Sequence, residues 1–255
     1  MEHKQVLTLT DTEKAAALFS GWEETMIRSC LERIMGTVRV TDPVSPRAAC
    51  ARIGDFAFFA GEPERALVLD PCAGYVIMVP QHEGWSRLIE ACCPGACRRT
   101  RYAVKKDTRF DTDALERTVK ALPEGYALAR IDAALYDKCP ENRTTADFVS
   151  VFGSKERYLA LGRGFVIMKG DRIVSGASSY TRYSAGIEIE VDTVPEERRK
   201  HLALTACAAL ILDCLKEGLY PSWDAHDMNS VHLAEKLGYE LSHAYPVYEV
   251  TGRLH

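Results

Sequence analysis

Gly186-Ile187-Glu188-Ile189-Glu190-Val191-Asp192-Thr193 runs through Val194-Pro195-Glu196-Glu197 into Arg198-Arg199-Lys200-His201-Leu202-Ala203, and this stretch decides the fold. Its first eight residues alternate apolar with acidic, the period of a strand that turns one face to a core. From Leu202 to about Glu217 the apolar positions follow helical spacing: Leu202, Ala203, Ala206, Ala209, Leu210 and Cys214, widened by Ala208, Ile211 and Leu215. Lys216 puts a cation in the last turn and Gly218 supplies a left-handed cap. Pro221-Ser222-Trp223-Asp224-Ala225 reads as a short strand. A second helix runs from about Asn229 to Leu237 and ends at Gly238-Tyr239, and a last strand covers Tyr245 to Val250. Strands and helices in this order give an α/β chain with a mixed sheet.

The loop before the long helix carries Arg198, Arg199, Lys200 and His201. A helix start exposes unpaired backbone N–H groups and a partial positive charge, so cations are unfavourable there unless an anion is bound. Two readings follow. One is a solvated charged turn, with Glu196 and Glu197 neutralising part of the charge. The other is a pyrophosphate cradle of N–H groups and cationic side chains.

These residues resemble the GNAT acetyltransferase superfamily, and more narrowly its zwittermicin-resistance-like branch. The superfamily loop runs Arg or Gln, two residues, Gly, one residue, Gly or Ala. Arg198 and Ala203 match its ends, His201 stands at the central Gly, and Arg199 stands where a second Gly is common. Trp223-Asp224-Ala225, Ser230 and Leu233-Ala234-Glu235-Lys236-Leu237-Gly238-Tyr239 are similar to the later signature of the branch, with Asp227 in place of its Asn. The resemblance covers about residues 155–255 and extends more loosely upstream. It implies a GNAT-type acyltransferase fold over residues 126–255, with an additional α/β domain over residues 1–125. It also implies acetyl-CoA as cofactor. Val191, Asp192, Thr193 and Val194 would face the pantetheine arm. Arg198, Arg199, Lys200, His201, Leu202 and Ala203 would hold the pyrophosphate, and Asp227 and Ser230 would lie close by. Asp227 has a second reading as the cap of the next helix.

The implied reaction is direct acetyl transfer to a small-molecule amine, an amino-sugar or peptide-like antibiotic being one class. An ammonium cannot attack, so a base or a water chain must take its proton. Alternation puts Glu188, Glu190 and Asp192 on one strand face. The resemblance implies an acid at the position of Glu188, which makes it the first candidate for the base, with Glu190 the second; the alternative is that both only line a polar acceptor cleft. The superfamily's usual Tyr acid falls at Ala234, and Tyr239, Tyr245 and Tyr248 are candidates by proximity alone. Trp223 reads as core or pocket wall. His201, with Arg199 and Ala234, also admits an acyl-CoA sensor without turnover on the same scaffold. Ser222, Ser230, His226 and His232 make no hydrolase, because no Gly-x-Ser-x-Gly elbow is present.

Composition agrees with a soluble cytoplasmic protein. Of 255 residues 47% are apolar and 27% charged, with a net charge of −4 and a pI near 6.0, which speaks against a nucleic-acid partner. No apolar run reaches the ~18–20 residues that span a bilayer, and Met1-Glu2-His3-Lys4 leads into no signal core. Nine cysteines, at 30, 50, 72, 92, 93, 97, 139, 207 and 214, lack a second paired set at zinc spacing and read as thiols.

Upstream, Thr10 and Glu13 have capping-box spacing before Ala15-Ala16-Ala17-Leu18, and a helix follows over Trp22 to Ile34, ended by Gly36. Strands are expected near Val38–Val40, Phe56–Ala60, Ala66–Leu69, Tyr75–Val79 and Tyr102–Lys105, with helices over Trp85 to Cys92 and Asp113 to Leu122. Pro123-Glu124-Gly125 marks the boundary, and Tyr126–Ile131 opens the next domain as a strand. Residues 1–125 name no reaction; they support the fold, shape the acceptor pocket or mediate self-association as a homodimer. Gly162-Arg163-Gly164 precedes the strand Phe165–Met168 instead of joining a strand to a helix, so it is a turn. Gly170 and Asp171 form the bend of a hairpin into Ile173–Tyr180.

Overall fold

A computed structural model describes residues 4–70 and 74–251; Cys72 and residues 1–3 lie outside them. Two compact units result, one from the residues up to Arg101 together with those from Ala244, the other Tyr102–His243. The division falls at Arg101 rather than near Gly125. The helix Thr112–Lys120 gives its buried Leu115 to the same core as Leu202 and Leu210, which ties it to the second unit.

In the first unit, Leu7–Thr8, Thr37–Val40, Ala48–Ile53 and Phe56–Gly61 pair antiparallel in sequence order. Phe56–Gly61 then pairs in parallel with Tyr75–Pro80, which takes Tyr248–Thr251 on its other edge. Phe59 and Trp85 pack with ring centroids 5.1 Å apart at the centre of one core. Three expectations are corrected here. Ala66–Leu69 is not a strand: Arg65–Val68 is one helical turn, started after Pro63 and buried through Leu67 and Val68. Thr10 caps no helix: the first helix is Glu13–Ala16 behind Thr12, without a side-chain cap, and the Thr12 hydroxyl donates to Leu31 O at 2.6 Å. The helix expected from Trp22 is the shorter Thr25–Leu31.

The second unit holds a five-stranded sheet in the order Tyr220–Ser222, Gly186–Thr193, Arg172–Tyr183, Gly164–Lys169, Ala127–Arg130. Gly186–Thr193 matches the alternating stretch residue for residue. The helix Leu202–Lys216 packs on one face, its Leu202, Ala206, Cys207 and Leu210 in one core with Ile187 and Ile189. Residues this small bring helix and sheet close together, and burial pushes the Cys214 thiol up to about 12. At Gly186 a Cβ would lie 2.1 Å from Tyr220 O, so only glycine lets the two strands begin this close. Gly218 adopts the expected left-handed conformation at φ 68°. The short helix Arg143–Ala146 packs against Arg172–Tyr183 and Gly186–Thr193. Among the described residues no helix is long and apolar enough to cross a membrane.

Both units run through the same order: short strand, helices, antiparallel three-strand meander, crossover helix, parallel strand, helix. In the first unit the crossover helix is the four-residue Arg65–Val68 and its strand is Phe56-Ala57-Phe58-Phe59-Ala60-Gly61. In the second the helix has 15 residues and follows a strand rich in acids.

Candidate active site

The stretch read as one strand, Pro221–Ala225, is divided. Tyr220–Ser222 pairs in parallel with Gly186–Glu188, and the last pair is Glu188 with Ser222. Asp224–Ala225 then pairs with Ala103 and Tyr102 instead. The two parallel strands therefore part at Glu188. Beyond it, among the described residues, Gly186–Thr193 keeps only its antiparallel neighbour Arg172–Tyr183. Backbone groups alternate sides along a strand. The Val194 N–H donates to Val174 O at 2.9 Å, toward the paired side, and Thr193 O accepts from Arg198 Nε at 3.1 Å on the other. By that alternation the Val191 N–H and C=O point to the side where the strands have parted. The Thr193 N–H bonds Asp192 Oδ1 at 2.7 Å.

The loop next to this opening has an unusual backbone. Arg199 and His201 lie at φ 62° and 61°, and Arg33 is the only other non-glycine residue with positive φ among those described. The two positions read as departures from glycine thus keep a glycine-like path. Each costs about 1–2 kcal/mol for a residue with a Cβ. His201 precedes the long helix and offers no side-chain cap, so the first N–H groups from Leu202 and Ala203 have no partner within the helix. The basic side chains of the loop divide into two sets. Lys200 bonds Glu197 and lies 3.3 Å from Tyr126 Oη, while Arg198 is held by Thr193 O and by Asp192 at 3.6 Å. Arg199 and His201 are exposed, and among the described residues their side chains have no hydrogen-bond or ion-pair partner.

Glu197 anchors the turn Pro195–Glu197 before this loop. Its carboxylate accepts from Lys169 at 2.7 Å, Lys200, and Tyr126 at 2.6 Å. Those bonds, led by the one from Lys169, hold it down to about 2.

On the strand, Ile187 and Ile189 belong to the core face, so Glu188, Glu190 and Asp192 lie on the opposite face. Glu188 is 3% exposed and Glu190 half-buried. Thr181 pairs with Glu188 across the antiparallel ladder; it is fully buried, and among the described residues its Oγ1 has no hydrogen-bond partner. Asp227 caps the helix Met228–Lys236, accepting from the Ser230 N–H at 2.9 Å. Ser230 Oγ accepts from Trp223 Nε1 at 3.1 Å, and Trp223 is core. Of the tyrosines, Tyr239 donates to Pro221 O at 2.5 Å in a buried position, and Tyr248 donates to Glu90 in the first unit. Thr181 and Lys106 carry no signal in the sequence, and Lys106 Nζ lies 2.9 Å from both Ser222 Oγ and Trp223 O. Neither sits in a motif; the folded strands alone bring them beside Glu188 and Ser222.

A family profile described as GNAT acetyltransferase matches residues 16–248. The chain belongs to this family. This GNAT protein is 30% identical over 141 residues to the uncharacterized N-acetyltransferase YdfB of Bacillus subtilis (strain 168). That match covers 54% of the chain and 53% of the relative, about half its length. A GCN5-related N-acetyltransferase-like protein from Streptococcus suis 89/1591 is similar over 94% of this chain and 98% of its own, at 48% identity and a TM-score of 0.90. A tandem GNAT protein from the clavulanic acid biosynthesis pathway shares the fold alone, at 12% identity and a TM-score of 0.57. It covers 97% of this chain and 98% of its own. The mixed α/β fold expected from the alternating strand and its helix is the fold these proteins share.

Proposed function

We propose that this GNAT protein is an acetyl-CoA-dependent N-acetyltransferase that passes the acetyl group directly to a small-molecule amine. The observation that carries the reading is the parting of two parallel strands at Glu188 and Ser222 beside an uncapped helix start with the exposed side chains of Arg199 and His201. A coenzyme with a diphosphate at one end and amides along its arm fits those features. The N–H groups of Leu202 and Ala203, with Arg199 and His201, would hold the phosphates. Val191 would bond the amide arm, with Asp192, Thr193 and Val194 forming the wall. Arg198 and Lys200 would act mainly by fixing the loop, and Asp227 and Ser230 by fixing the neighbouring helix start. The bound thioester supplies an activated acetyl group. Glu188, buried at the parting, would take the proton from the attacking amine, with Glu190 as second candidate. The acidic face of Glu188, Glu190 and Asp192 suits a cationic acceptor. The zwittermicin-resistance-like signature from Trp223 to Tyr239 points to an amino-sugar or peptide-like antibiotic.

A second reading, an acyl-CoA sensor without turnover, is favoured by Arg199 and His201, whose Cβ atoms stand where glycine would let a ligand approach the backbone. Purified protein given acetyl-CoA and a panel of amines separates the two. Release of free CoA supports the enzyme, and saturable binding with no release across the panel supports the sensor. Glu188→Gln is expected to lower turnover at near-normal CoA affinity. Arg199→Ala is expected to weaken CoA binding about tenfold, the value of one charge-assisted bond. Unchanged affinity would leave the loop a solvated turn.

A further inference from the structure

We infer that Ser222, polarised by Lys106, is the catalytic residue that gives the leaving CoA sulfur its proton; this rests on the acetyl-CoA reading above. Ser222 and Glu188 are the last pair of the parallel ladder, and residues directly opposite in a ladder share a face. Thr181 lies opposite Glu188 on its other side. Thr181, Glu188 and Ser222 therefore form one polar row across three adjacent strands, at 0%, 3% and 0% exposure. Buried polar groups demand partners, and the row offers more capacity than the fold uses. Among the described residues Thr181 Oγ1 has no hydrogen-bond partner. Ser222 Oγ accepts from Lys106 Nζ at 2.9 Å, and among the described residues its own O–H donates to no acceptor.

The row lies where the strands part, so a thioester following Val191 toward Glu188 meets Ser222 as the next side chain with a hydrogen to give. Thr181 stands on the antiparallel side of Glu188, away from the parting, and two further hydroxyls nearby are committed. The Tyr239 hydroxyl bonds Pro221 O and burial raises its pKa, while Ser230 Oγ serves Trp223 Nε1. Lys106 also bonds Trp223 O at 2.9 Å, which fixes the ammonium at the place where the strand changes partner. It acts as a positioning residue and as the charge behind the Ser222 hydroxyl.

The balance is simple. The amine nitrogen bonds to the acetyl carbon, Glu188 takes the amine proton, and the carbon–sulfur bond breaks with its electron pair on sulfur. Ser222 passes its hydrogen to sulfur while Lys106 passes one to Ser222. The proton held by Glu188 makes good the one lost from Lys106, so amine and thioester become amide and thiol.

The test needs no acceptor. CoA itself is titrated on the full-length protein, and the pKa of its bound thiol is read from thiolate absorbance against pH. An ordinary thiol lies near 8.5. The bound thiol is expected about one unit or more lower, as for a group beside a fixed cation. Ser222→Ala and Lys106→Met should each return it toward the free value, and Lys106→Arg should keep it low. Glu188→Gln should lower it further, since the carboxylate opposes the thiolate. Ser222→Ala and Lys106→Met proteins that bind CoA with wild-type affinity and an unmoved thiol pKa would overturn the inference. Wild-type protein that binds no CoA would overturn the acetyl-CoA reading and this inference with it, an outcome distinguished by the missing bound signal.

Discussion

His201 carries the conflict between sequence and backbone in its plainest form. At φ 61° it begins the helix in a conformation that glycine adopts without penalty. Its exposed imidazole stands at the start of the helix, where we propose that the coenzyme's phosphates bind. His201→Gly is therefore expected to be more stable than His201→Ala by about 1 kcal/mol, read as the difference in urea midpoint. Equal stabilities would mean that the loop relaxes out of the left-handed conformation. Asp227, with two readings in the sequence, is placed as a helix cap, and its bond to the Ser230 N–H accounts for the residue without a ligand.

At the scale of elements, the turn Pro195–Glu197 matters most because it sets where the long helix starts. Three donors converge on the Glu197 carboxylate, from the strand end at Lys169, from Tyr126 and from Lys200. Its pKa falls from the ordinary 4.5 to about 2. A carboxyl depressed in the folded state contributes fully above its unfolded pKa and loses that contribution as pH falls toward the folded value. Wild-type protein and Glu197→Gln should therefore differ by a constant amount in urea midpoint above about pH 4.5, and the gap should close between there and about pH 2. A gap that persists through that window would show that Glu197 contributes by packing alone. The parting strands obey a similar local logic: beyond Ser222 the strand turns to Ala103 and Tyr102, and the Trp223 carbonyl accepts from Lys106 instead of a strand.

At the scale of the molecule, the two units repeat one order of elements, and only the second combines an acidic strand, a cationic loop and a long helix. That combination was legible because each part has a physical period: Gly186–Thr193 alternates, and Leu202–Lys216 keeps helical spacing between a basic start and Gly218. The first unit was harder to read. Ala48–Ile53 is a fully paired strand, yet Ala48-Ala49-Cys50-Ala51 carries little strand propensity. Arg65-Ala66-Leu67-Val68 is an apolar run too short to separate helix from strand by period. The repeat itself left no trace in residue types, because Phe56-Ala57-Phe58-Phe59 and Ile187-Glu188-Ile189-Glu190 occupy matching strands with unlike chemistry. Lys106 and Thr181 were illegible for another reason, since their meaning comes from partners 116 residues away and across a ladder. A crystal structure of the protein soaked with acetyl-CoA tests the whole account at once. The diphosphate is expected on the N–H groups of Leu202 and Ala203 beside Arg199, with the thioester between Glu188 and Ser222. Density for the coenzyme anywhere else, with the His201 side chain filling the helix start, would contradict it.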